Sequence, residues 1–102
     1  MSEQLDTLAE LIYQWQELLS GLGRGNGRRI ASKMTELFAG SRHWTEWYQR
    51  NALAAEVFDL VTDIGWSPQY RLIVYDEPPA WQKIQRLVQE LHRKQEALTD
   101  NW

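Results

Sequence analysis

Leu5, Leu8, Ile12, Trp15, Leu19 and Leu22 recur at alternating steps of three and four, which lays them along one face of an α-helix. Leu11 and Leu18 widen that stripe, so the helix, expected over about residues 4–22, faces more than one neighbour rather than a single zipper partner. The pattern stops at residues 22–27, Leu-Gly-Arg-Gly-Asn-Gly, where glycine and asparagine readily take left-handed backbone and predict a loop. Over 28–39 the apolar period resumes with Ile30, Met34 and Leu37, flanked by Ala31 and Phe38, and Gly40 marks its stop.

Ser41 is the candidate N-cap of a third helix, over 42–64, aromatic in its first part and aliphatic and acidic in its second. Trp44, Trp47, Ala54, Phe58 and Val61 share one stripe, with Leu53, Val57, Leu60 and Ile64 alongside, a breadth that predicts the central helix of the domain. Gly65 and Pro68 end it, and residues 66–77 read as an extended connection. Within that connection, 70–75 is strand-like, yet the sequence offers no second strand to pair its backbone. Pro78 and Pro79 suit the first turn of a last helix, over 79–98, whose apolar face is Trp81, Ile84, Val88, Leu91 and Leu98. On it, Glu90 is spaced for surface ion pairs with Arg86 and Lys94. The expected fold is all-α: a single domain, 1–102, forming a compact four-helix domain with a long extended connection before the last helix.

Composition sharpens this at one point. A chain of 102 residues has a radius of roughly 13 Å and a thin core, yet this one holds six tryptophans, four tyrosines and two phenylalanines. Buried tryptophan also asks for an acceptor for its ring N–H, so an aromatic surplus at the surface is expected. Without cysteine there is no disulfide, thiolate nucleophile or cysteine-ligated metal. The first basic residue is Arg24, after Glu3, Asp6, Glu10 and Glu17, the opposite of a targeting peptide, and no apolar run reaches membrane-spanning length. A cytoplasmic protein that makes no membrane contact is the expectation.

The net charge of −3 hides an alternation: residues 1–23 carry −4, 24–50 carry +4, 51–77 carry −4 and 78–102 carry +1. Pairing between helices would absorb it, and so would an oriented partner. The basic block holds the nucleic-acid candidate, in which Arg24, Arg28, Arg29 and Lys33 surround a glycine loop whose N–H groups suit a phosphate. It is not a P-loop, since the Lys-Ser/Thr ending is missing. Helices joined at Gly40 and Ser41 also allow a helix-turn-helix with His43, Gln49, Arg50 and Asn51 as readers, although Glu46, Glu56, Asp59 and Asp63 oppose it.

Catalytic constellations are weaker. His43 and His92 are far apart in sequence, and Glu56, Asp59 and Asp63 on one helical face read first as a solvated acidic surface. No metal site and no cofactor are expected. The favoured function is a small non-catalytic protein–protein interaction module, an accessory or regulatory subunit or a homodimer, acting by stoichiometric binding. Its first candidate surface is Trp44, Trp47, Tyr48, Arg50 and Trp66, because aromatic residues and arginine concentrate at the energetic centres of interfaces. A second is the strand-like edge at Arg71, Ile73 and Tyr75, open to pairing with another chain, and Trp102 at the tail is a further candidate anchor. Against the first stands a single aromatic core in which Trp15, Trp47, Trp66 and Trp81 meet.

Overall fold

The computed structural model describes residues 7–23, 25–66 and 78–100, and over these it is all-helical. Its helices are α1 (Leu8–Ser20), α2 (Gly27–Ala39), α3 (Trp44–Arg50), α4 (Ala52–Trp66) and α5 (Pro78–Asp100). The long helices bury the residues their spacing selects: Leu11, Ile12, Trp15 and Leu19 on α1; Ile30, Ala31, Met34 and Phe38 on α2; Ala54, Val57, Val61 and Ile64 on α4; Trp81, Ile84, Val88 and Leu91 on α5. Each such leucine, isoleucine or valine withdrawn from water stabilises the fold by about 1.5–3 kcal/mol before conformational entropy is set against it.

α1 packs on α2 and α5, and α4 packs on the same two helices, which closes a ring of four around the core. Neighbours run antiparallel. Ser32 lies against Gly65 and Phe38 against Phe58, so α4 is met in reverse order along α2. Lys83 meets Glu56 while Leu91 and Lys94 lie beside Leu53, which gives the same reversal between α4 and α5. The radius of gyration, 13.5 Å, matches the size expected from length.

Three local expectations are corrected. The single helix over 42–64 is two helices, because Asn51 breaks it with an extended backbone, φ −120° and ψ 99°. Its N–H donates to the Trp47 carbonyl and closes α3, while its Oδ1 accepts from the Ala54 N–H at 3.0 Å and caps α4. Ser41 caps backwards: its hydroxyl donates to the Phe38 carbonyl at 2.6 Å, closing α2, and His43 holds the N-cap position of α3. The first helix begins at Leu8, since Thr7 is extended and its Oγ1 accepts from the Glu10 N–H at 3.1 Å.

Smaller departures follow the same logic. α4 runs one residue past Gly65, which is buried against α2 so closely that a Cβ there would sit 3.0 Å from Ser32 Oγ and 3.3 Å from the Ser32 backbone nitrogen. Glu90 is bonded by Arg93, with Lys94 adding to the positive field that holds its carboxyl below the usual range. The extended connection at 67–77, including the strand-like run, lies outside the described residues.

Candidate functional site

α3 is built differently from the other helices. It has seven residues, none of them buried, and is held to the bundle by aromatic rings. Inside, Trp15 stacks on Phe38 with centroids 5.8 Å apart, and Phe38 stacks on Phe58 at 4.6 Å. α3 adds an edge to each phenylalanine: Trp47 meets Phe38 at 6.1 Å, and Tyr48 meets Phe58 at 5.8 Å, both in the edge-to-face geometry that the ring quadrupole favours. His43 leans on Trp47 at 6.3 Å.

Consecutive residues therefore divide between core and surface. Trp47 is half-buried, whereas Tyr48 is 37% exposed and Trp44, one turn before it, is 40% exposed. The Tyr48 hydroxyl donates to Asp59 Oδ1 at 2.9 Å and ties α3 to the outward side of α4. That hydrogen bond, then the Asp59 charge, then burial raise the Tyr48 pKa above its ordinary value. Arg50 is exposed and reaches Glu46 at 3.2 Å within α3. Glu56 and Lys83 form a 3.3 Å ion pair between α4 and α5, one cross-helix pairing of the kind the charge alternation anticipates.

The structure thus brings Trp44, Tyr48 and Arg50 together on one exposed element and turns Trp47 partly inward. The single aromatic core is realised in part: Trp15 and Trp47 meet at Phe38, and Trp81 is buried with the α5 face. Arg71, Ile73, Tyr75 and Trp102 lie outside the described residues, as do Arg24 and the side chain of Trp66.

The basic set is divided too. The Arg28 Nε donates to the Gly65 carbonyl at 3.1 Å, placing a cation at the C-terminal end of α4, where the helix dipole favours it. Arg29 and Lys33 are exposed, one turn apart on α2. The loop before them is closed by Asn26, whose Oδ1 accepts from the Gly23 N–H at 2.7 Å and whose amide donates to the Gly21 carbonyl at 2.8 Å. Gly25 stands at φ 82°, a left-handed position that glycine takes without strain. The helix-turn-helix reader would be α3, whose closing residue Asn51 is engaged as the cap of α4.

Of the acidic face, Asp59 serves Tyr48 and Glu56 serves Lys83. Among the described residues, no group of three His, Cys, Asp or Glu side chains could hold a metal ion, and no helix is long and apolar enough to cross a membrane. One exposed aromatic was missed: Tyr13 on α1, 59% exposed, whose signal is that it falls off the apolar stripe of its helix. No protein-family model, curated protein or solved structure matches this chain.

Proposed function

We propose that this chain is a non-catalytic protein-interaction module, a cytoplasmic accessory or regulatory subunit that acts by stoichiometric binding through α3 and the adjoining face of α4. One observation carries the reading: Trp44 and Tyr48 are large aromatic side chains left exposed a turn apart on a helix that buries no residue of its own. A ring held at one edge and open at the other, as Tyr48 is, supplies contact area at little entropic cost, which is what an interface anchor requires. Tyr48 is held by both Phe58 and Asp59, so it is preorganised before any partner arrives.

The alternative, phosphate contact through the loop and first turn of α2, draws on Arg29 and Lys33, while Arg28 has a role inside the fold. The test compares extracts of the native host passed over immobilised wild type and over Trp44→Ala/Tyr48→Ala and Arg29→Ala/Lys33→Ala variants, with circular dichroism confirming that each is folded. Stoichiometric retention of a protein by the wild type and the Arg29/Lys33 variant, lost in the Trp44/Tyr48 variant, is the expected result. Salt-sensitive retention of nucleic acid, lost only in the Arg29/Lys33 variant, would overturn the reading in favour of the alternative.

A further inference from the structure

Asn26 is the one asparagine of the chain that a glycine follows; Asn51 precedes Ala52 and Asn101 precedes Trp102. That pairing is chemically reactive. The backbone nitrogen of the second residue can attack the side-chain carbonyl carbon of the first, and glycine, without a Cβ, leaves its nitrogen unshielded. The fold engages both members of the pair. Asn26 Oδ1 accepts from the Gly23 N–H at 2.7 Å and Nδ2 donates to the carbonyl of Gly21, the C-cap of α1, at 2.8 Å, so one amide clasps the end of α1 to the start of α2. Gly27 is buried as the first residue of α2. Asn26 stands at φ −94° and ψ 7°, which eclipses the Gly27 nitrogen with the backbone nitrogen of Asn26 and turns it away from Cβ. Closing a cyclic imide needs that nitrogen swung round to the side chain. The rotation carries the Asn26 carbonyl off the Ile30 N–H, from which it accepts at 2.9 Å, and Ile30 belongs to the core.

We propose that Asn26 and Gly27 form a self-modification site that the fold keeps latent, reacting only when the Asn26 clasp and the first turn of α2 open together. In the opened joint the Gly27 nitrogen bonds to Asn26 Cγ and the Cγ–Nδ2 bond breaks. The proton that Gly27 gives up leaves with Nδ2 as ammonia. Solvent water then opens the imide, supplying the oxygen of the new carboxylate, and nothing is oxidised or reduced. Attack of water at Cγ leaves an ordinary backbone with an aspartate side chain; attack at the former backbone carbonyl carbon routes the chain through Cβ as isoaspartate. Neither product has a side-chain N–H to return to the Gly21 carbonyl, and each adds one negative charge at the start of α2. The change is irreversible, so the modified fraction records how often the α1–α2 joint has opened.

The test holds the full chain at mildly alkaline pH, folded in buffer or unfolded in urea, and follows the peptides containing Asn26 and Asn51 by mass spectrometry, with isoaspartyl methyltransferase labelling to identify the β-linked product. In urea Asn26 is expected to lose its amide before Asn51 does, because a Cβ stands beside the Ala52 nitrogen and none beside that of Gly27. In the folded chain Asn26 should react at least about tenfold more slowly than in urea, since only the opened fraction reacts. Gly25→Ala places a Cβ at φ 82° and strains the closed joint, so in buffer it should speed the reaction at Asn26 about tenfold and leave Asn51 unchanged. Circular dichroism confirms that the variant is folded, and the wild-type comparison stands by itself if it is not. Equal rates at Asn26 in buffer and in urea overturn the latency, and an Asn51 as reactive as Asn26 in urea overturns the site. A folded Gly25→Ala chain that reacts no faster than wild type overturns opening of the joint as the route.

Discussion

The Trp15 indole N–H donates to the Met34 carbonyl at 3.1 Å inside the bundle, and the same indole stacks on Phe38 one turn further along α2. A fully buried tryptophan is thereby satisfied at its only polar atom and packed on its face by a single neighbouring helix. Trp15→Phe removes the hydrogen bond and part of the ring, and should cost about 1–3 kcal/mol; Trp15→Ala adds a cavity and should cost about 3–5 kcal/mol. Urea unfolding followed by circular dichroism measures both, and equal, small losses would show that the contact does not organise the core.

Thr62 presents the opposite situation, since its Oγ1 is buried without a hydrogen-bond partner. Valine keeps the shape and removes the hydroxyl, so Thr62→Val should raise stability by about 1 kcal/mol. The urea midpoint should rise with an unchanged slope, because the surface exposed on unfolding is the same.

Asn51 holds two helix ends at once, and Asn51→Ala deletes the side-chain acceptor for the Ala54 N–H. A loss of about 1 kcal/mol is expected, with Asn51→Asp retaining most of the stability because aspartate caps equally well. Amide exchange at Ala54 should accelerate in the alanine variant and not in the aspartate one.

Arg28 and Arg29 are adjacent in sequence and unlike in role. Arg28→Met takes away the donor to the Gly65 carbonyl at the end of α4 and should destabilise by about 1.5 kcal/mol, whereas Arg29→Met, on an exposed side chain, should stay within about 0.5 kcal/mol of wild type. Paired thermal melts decide between them.

The Tyr48 hydroxyl is the donor to Asp59, so folding favours the protonated phenol and its pKa is raised. Its contribution is complete below the ordinary phenol pKa near 10 and is lost as pH rises through the higher folded value. Comparing unfolding of wild type and Tyr48→Phe on the alkaline side should show the wild type losing the larger share of its stability, and exchange protection in α3 should fall with it. Parallel pH profiles would sink the idea.

The helical faces were legible because burial and periodicity are the same fact seen twice: Leu11, Ile12, Trp15 and Leu19 follow a helical repeat, and the structure buries them. The break at Asn51 was not legible from that repeat, since the aromatic and aliphatic stripes run on through it. Its signal lay in Asn51 and the Ala54 N–H three residues later, a capping relation that apolar periodicity does not register. Likewise Thr7 and Glu10 have the spacing of a capping box, which sets the start of α1 at Leu8, inside the expected start at residue 4. For the candidate site, the sequence singled out Trp44, Trp47 and Tyr48 as a crowd without separating those that pack from those that face water.

What the amino-acid order determined by itself was that the chain is helical and which side of each long helix is apolar, because those follow from local backbone preference and from spacing. Only the tertiary structure decided that Trp47 and Tyr48 lean on Phe38 and Phe58, that Arg28 caps α4 and that Trp44 stays exposed. Those outcomes depend on where a second helix lies. Helical spacing tells a side chain which way to point, and the packing of the ring of helices decides what it meets there.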